Sequence, residues 1–254
     1  MLLSPDVVDL ILSFLQADTA ALKSCNQAHP LLSRLAQRHL YYKTTLDIKT
    51  GGDLEITELS SLLSKSPHIR NYIRILAINI FNDSDSQLAH ETPVVKAVSS
   101  ILTALPCLNK VTLIHTKPWP SFINAKAWDT IHKTLRSSFA DVLQQSSVTR
   151  VHLEGFSAFP LSVFDTCQNI KALSLSYCDK FESSKLTSPS PHLESLSIHS
   201  RDPMLFQWAI DRIGHLTSLN LKPPTEECTV FRKVFEACAK SLTKLELDIH
   251  NLGT

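Results

Sequence analysis

"IKALSLSYC", residues 170–178, holds the spacing that decides how this chain folds: Ile170, two spacers, Leu173, one spacer, Leu175. The closing Leu-x-Leu alternates apolar with small polar side chains, as a strand does when one of its faces is buried. Toward the C-terminus the spacing recurs as Leu193-Leu196-Ile198, Leu216-Leu219-Leu221 and Leu242-Leu245-Leu247. Toward the N-terminus it recurs as Val148-Val151-Leu153, Leu108-Val111-Leu113 and Ile73-Leu76-Ile78, and Leu46-Ile48 reads as an incomplete first copy. From Ile73 onward the first members lie 35, 40, 22, 23, 23 and 26 residues apart. Self-similar apolar spacing at such intervals marks a repeat array.

The segments between the strands have helical periodicity. In 93–105, Val94, Val95, Val98, Ile101, Leu102 and Leu105 fall near a 3.6-residue period; 127–145 (Trp128, Ile131, Leu135, Phe139, Val142, Leu143) and 228–240 (Val230, Phe231, Val234, Phe235) do likewise. The period and the L-x-x-L-x-L core are similar to those of leucine-rich repeats, with Cys178 in the asparagine/cysteine slot that follows the strand. The fold class this predicts is α/β, a curved parallel sheet with helices outside; the alternative is a compact α/β domain with chance spacing. Two stretches, 81–93 and 114–122, read as irregular insertions. Pro118-Trp119-Pro120 is no regular helix, and Trp119 is either a binding aromatic or a cover over the end of the core.

Composition excludes several functions. Basic and acidic residues balance at 25 against 24, so the total shows neither a basic face for nucleic acid nor an acidic tail. Five glycines leave little for Gly-rich phosphate loops, and no G-x-G-x-x-G or G-K-[ST] occurs. The cysteines, Cys25, Cys107, Cys167, Cys178, Cys228 and Cys238, form no C-x-x-C pair; this reads as reduced, mostly buried thiols in a cytoplasmic or nuclear protein. Two catalytic motifs begin and fail. His90-Glu91 starts a zinc-protease helix, but Pro93 interrupts it and Val94 stands where the second histidine belongs. Gly155-Phe156-Ser157 starts a hydrolase elbow, but Phe159 replaces its second glycine. The expectation is a chain with no active site, metal or cofactor of its own.

The first forty residues are not a repeat. "SPDVVDLILSFLQAD" (4–18) predicts a helix capped by Ser4, opened by Pro5, with Asp6 and Asp9 near its positive end. It is apolar almost all round, where a surface helix needs only one stripe, so it is expected to be buried on more than one side. Its eleven-residue run is too short to span a membrane. Helical periods over 18–28 and 31–42 add two further helices. So small a unit rarely closes its own core, and the surplus apolar surface must meet the first repeats, a partner, or both.

"LSPDVVDLILSFL" (3–15) resembles the F-box signature, with Leu3, Asp6, Val7, Ile11, Leu12, Ser13, Phe14 and Leu15 in register, and "DTAALKSC" is similar to that family's second helix, with Leu22 at its leucine. The stretches 59–78 and 159–177 resemble fungal F-box proteins that carry irregular leucine-rich repeats. The resemblance implies an F-box-like helical domain at 1–42 and a leucine-rich-repeat domain at 43–254. The sequence stops one strand into its last repeat with no capping segment, so the expectation is either a longer natural protein or an array that ends on an open edge. It implies that the F-box docks on a Skp-type adaptor of a cullin ubiquitin ligase through Leu3, Pro5, Val8, Ile11, Leu12, Leu15 and Leu22, while the repeats hold a target protein. It implies no nucleic acid, membrane or cofactor, and a cytoplasmic or nuclear place. Ser4 and Pro5 depart from the family's leucine-proline order, and Leu31 and Leu32 stand near its third-helix tryptophan. In the alternative reading the helices only cap the end of a leucine-rich scaffold.

The residues alternating with the buried ones define where a target would sit. Around the small side chains at 172–199, the candidates are Arg150, His152, Glu154, Ser174, Ser197, His199, Asn220 and Lys222. An ordinary solvated face, or binding through the loops near Trp119, are the alternatives. Residues 242–249 are expected to form a last strand whose open edge is guarded by Lys244, Glu246 and Asp248.

Overall fold

Each Leu-x-Leu segment becomes a strand, and the strands lie side by side in the order of the sequence. The computed structural model describes residues 4–49, 53–81, 88–116, 126–181, 193–200, 202–210, 212–222 and 228–247. The chain begins with α1 (Pro5–Ser13), α2 (Thr19–Ala28), α3 (Pro30–Tyr42), β1 (Lys43–Ile48), α4 (Asp53–Lys65), α5 (Pro67–Arg70) and β2 (Ile75–Phe81). It continues with α6 (Pro93–Ala104), β3 (Lys110–Thr116), β4 (Lys126–Ala127), α7 (Lys133–Leu143), β5 (Arg150–Glu154), β6 (Phe156–Ser157), α8 (Ser162–Asp165) and β7 (Ala172–Ser176). β8 (Ser195–His199), α9 (Pro203–Ile210), β9 (Ser218–Lys222), α10 (Cys228–Cys238) and β10 (Lys244–Leu247) follow. The fold is α/β: one eight-stranded parallel sheet, ordered β1-β2-β3-β5-β7-β8-β9-β10, with helices in its crossovers, and a short pair β4-β6.

The register follows the repeat. Leu76, Val111, Val151, Leu173, Leu196, Leu219 and Leu245 stand side by side across seven strands. In every copy from Ile73 to Leu221 all three members are buried, each stabilising the fold by roughly 1.5–3 kcal/mol. The last copy differs: Leu245 and Leu247 are 45% and 46% exposed. Its strand is described over Lys244–Leu247, and Asp248 lies outside the described residues, as do Leu3 and Trp119. The incomplete first copy is displaced by two residues: Leu46 pairs with Ile78 and Ile48 with Ile80, so Thr44 occupies the slot beside Leu76.

A second ladder runs along the N-terminal ends of the strands. The carbonyl of Arg74 accepts from the N–H groups of both Asn109 and Lys110, that of Asn109 from Thr149 and Arg150, and that of Thr149 from Lys171 and Ala172. Lys171, Glu194 and Thr217 repeat the arrangement toward β10. In the eight-stranded sheet each strand start from β3 to β10 is thereby pinned to the one before it.

The helix expected over 127–145 is broken. Trp128–Thr130 form one 3-10 turn, Ile131 is extended, and α7 starts at Lys133. One long-range and one local contact account for the break: the N–H of His132 donates to the carbonyl of Leu88 at 2.7 Å, and His132 Nδ1 accepts from the N–H of Thr134. Trp128 then packs edge-on against Phe139, Phe156 and Phe159. Gly155 follows β5 at φ +78°, where a Cβ would stand 2.6 Å from the carbonyl oxygen of His115; only glycine fits both conditions. Cys178 is buried, its thiol turned toward the carbonyls of Ser176 and Leu153, and burial pushes its pKa up to about 12. One buried ion pair has no counterpart in the sequence reading: Arg212, two residues past α9, donates to the carboxylate of Asp165 and to the carbonyl of Trp208.

Candidate functional site

Two surfaces hold the residues expected to bind partners. The first is α1. Ser4 caps it, accepting from the N–H of Val7, and Pro5 opens it. Val8 and Leu12 on its inward face, with Leu15 in the turn that follows, pack with Leu22, Leu35, Ala36, Cys25 and Leu40 in a small cluster separate from the sheet's core. Polar contacts lock α1 to α3: His39 Nε2–H donates to Asp9 at 3.0 Å, Gln16 donates to His39 Nδ1 at 3.1 Å, and Arg38 reaches Asp9 at 3.7 Å.

The opposite face is uncovered. Val7, Leu10, Ile11 and Phe14 are 43%, 59%, 48% and 80% exposed, and their i, i+3, i+4, i+7 spacing sets them in one stripe. Among the described residues α1 is therefore covered on one side only: of the surfaces that the sequence reading offered for its surplus apolar face, the first repeats do not cover it. Of the residues expected to face an adaptor, Pro5 and Ile11 are exposed, Val8 and Leu15 are half-buried inward, and Leu12 and Leu22 are fully enclosed and present no surface. Val7, Leu10 and Phe14 are exposed neighbours of Ile11 that were not among the residues expected to face the adaptor, although Val7 and Phe14 stand in the signature itself. Their helical spacing was visible in the sequence; which of two apolar faces turns inward was not.

The second surface is the open face of the sheet. Here the structure brings the expected residues into contact. Glu154 accepts from His152 Nε2 at 3.1 Å, which leaves Nδ1 as the acceptor for the Ser174 hydroxyl at 2.8 Å. Two strands along, His199 Nε2 donates to Asn220 at 3.2 Å, and Asn220 donates to Glu246 at 3.1 Å. Lys244 sits 2.7 Å from Glu246, and its hydrogen bond and charge hold that carboxyl below the usual range. Ser197 stands between the two groups, register partner of Ser174 on one side and of Asn220 on the other, and Lys222 lies beside His199. Arg150 is exposed at the N-terminal end of β5.

The order hydroxyl, imidazole, carboxylate is that of a nucleophile with its base. Around Ser174, however, the backbone N–H groups of β5, β7 and β8 are tied into parallel pairing, so none is aimed at a developing oxyanion. What the arrangement does is fix the tautomer of His152 and stiffen a polar floor. Among the described residues no three metal-ligating side chains come together, and no helix is long and apolar enough to cross a membrane. A scan against family models finds no match, and comparison with curated proteins finds none either.

Proposed function

We propose that this chain is the substrate-recognition subunit of a Skp-cullin-F-box type ubiquitin ligase, with α1–α3 as an F-box that docks on a Skp-type adaptor and the sheet as a leucine-rich-repeat solenoid that holds a target protein. The ubiquitin chemistry belongs to the partners, in the cytoplasm or nucleus. The observation that carries this reading is the second apolar face of α1. A three-helix unit that has closed its own small core around Leu12, Leu22, Leu35 and Ala36 still presents Val7, Leu10, Ile11 and Phe14 to solvent. A helix serving only as a cap would turn such a stripe toward the sheet. Here the connection to the sheet is made by α3, whose Tyr42 carbonyl accepts from the N–H of Arg74 and whose Gln37 side chain meets His68 of α5.

The test is co-expression with a Skp-type adaptor. Wild-type chain is expected to co-purify with it. Ile11→Asp with Phe14→Asp removes two apolar side chains of roughly 1.5–3 kcal/mol each, a loss of about two to four orders of magnitude in affinity. Both positions are exposed, so the variant keeps its fold by circular dichroism. A wild type that never co-purifies, or a double variant that still does, leaves the scaffold with capping helices as the better reading.

A further inference from the structure

On the first four strands the open face separates its charges by row. Lys43, Ile75, Lys110 and Arg150 are register partners and form the row nearest the N-terminal ends. The row behind holds Thr45, Ala77, Thr112 and His152, and the third holds Asp47, Asn79, Ile114 and Glu154. Both carboxylates of the third row are engaged by neighbours within that face: Asp47 accepts from Asn79 at 2.8 Å, and Glu154 from His152 at 3.1 Å. Among the described residues neither Lys43, Lys110 nor Arg150 forms an ion pair. Three cations thus stand in a line without compensation, in a chain whose total charge is close to neutral.

The line has a definite length. At about 4.8 Å between strands, Lys43 and Arg150 are roughly 14 Å apart, three strand spacings. In an extended peptide alternate side chains repeat about every 6.8 Å, so three of them cover roughly 14 Å. The cations divide that length unevenly, at roughly 9.6 and roughly 4.8 Å, and the long Lys110 side chain must lean by roughly 3 Å toward Lys43 to meet the middle one. In the middle row Thr45 and Ala77 are small and let a peptide backbone lie close above the sheet at β1 and β2, with His152 closing the row at β5, and Ile75 offers an apolar patch between Lys43 and Lys110. We propose that the target segment held by this face is extended and acidic, with carboxylates at alternate positions that pair with Lys43, Lys110 and Arg150. This deepens the reading of the sheet as the target-holding face and rests on it.

The probe is a short fluorescein-labelled peptide of alternating glutamate and alanine, titrated with the full chain and followed by fluorescence anisotropy. A serine-alanine peptide of equal length is the neutral control. The full chain is expected to bind the acidic peptide and not the neutral one. The affinity is expected to fall as salt is raised from about 0.05 to about 0.5 M, because exposed pairs are screened. Lys110→Glu with Arg150→Glu is expected to weaken binding at least roughly tenfold. Lys233→Glu with Lys240→Glu, which makes the same change of net charge at exposed positions on and just after α10, is expected to leave it within about twofold. Equal binding of the two peptides overturns the proposal, as does an equal loss in the two double variants, which reports net charge alone. Adaptor co-purification of the same proteins is read separately. Its failure sinks the ligase reading while the peptide result still reports on the face.

Discussion

Removing Asp165 should be among the most damaging single substitutions in the chain. Its carboxylate accepts from Arg212 Nη2, while Nη1 donates to the Trp208 carbonyl at 2.8 Å and the guanidinium lies 4.5 Å over the Trp208 ring. The two side chains are 7% and 1% exposed and come from positions 47 residues apart, tying the segment before β7 to the segment before β9. Asp165→Ala leaves a guanidinium without its counter-charge where water does not reach, a loss of about 3–5 kcal/mol. At roughly 2–4 °C per kcal/mol for a chain of this size, the thermal midpoint should fall by about 6–20 °C. Asp165→Leu with Arg212→Met removes both charges while keeping most of the volume, and should recover most of the loss. Urea and thermal unfolding followed by circular dichroism measure both. A single substitution that costs under about 1 kcal/mol, or a double no better than the single, would refute the account of this pair as a mutually dependent buried charge couple.

Gly155→Ala should destabilise by about 1–2 kcal/mol or more, from its left-handed backbone and the overlap with the His115 carbonyl; Gly214→Ala, whose added Cβ has open space, should change the denaturation midpoint little. Burial raises Cys167 to about 11 and Cys178 to about 12 from an ordinary 9.0. Because the folded state holds these protons more tightly, their contribution is complete below pH 9 and is lost as pH rises toward 11 and 12. Cys167→Ala with Cys178→Ala should therefore show a shallower alkaline loss of stability; an unchanged slope in a pH series of urea midpoints contradicts this. The amides of Lys244–Leu247 should exchange with deuterium well before those of β7, since Leu245 and Leu247 are half exposed and β10 pairs, among the described residues, with β9 alone. Equal protection of the two strands would sink that expectation.

The apolar spacing around Leu173 and Leu175 was enough to place seven strands and the register between them, because a strand with one buried face leaves a period-two trace in the sequence. Contacts that depend on distant partners left no such trace. Asp165 and Arg212 are ordinary residues until the fold brings them together, and α9 is apolar on too many sides for periodicity to mark its ends. The break at Ile131 comes from the hydrogen bond between His132 and Leu88, which overrides a helical pattern that continues through it. For α1 the excess of apolar residues was plain, but a helix with two apolar faces reads the same whichever turns inward; the choice of Leu12 over Ile11 is made by α3. On the open face the alternation correctly grouped His152, Glu154 and Ser174, while the line of Lys43, Lys110 and Arg150 emerged only with the alignment of β1, whose place in the repeat is shifted by two residues.

The ladder of paired N–H groups along the strand starts also determines how the sheet would respond to force. Each carbonyl from Arg74 to Thr217 grips the beginning of the next strand and nothing beyond it, so tension is passed between neighbours as along the links of a chain. Pulled from the C-terminal side, β10 should peel first, followed by β9 and β8, in steps of roughly one repeat's length of released chain. The same local grip leaves the connections free to vary, from the 22 residues between Val148 and Ile170 to the 40 between Leu108 and Val148, because a long crossover need only return its strand to the next waiting carbonyl.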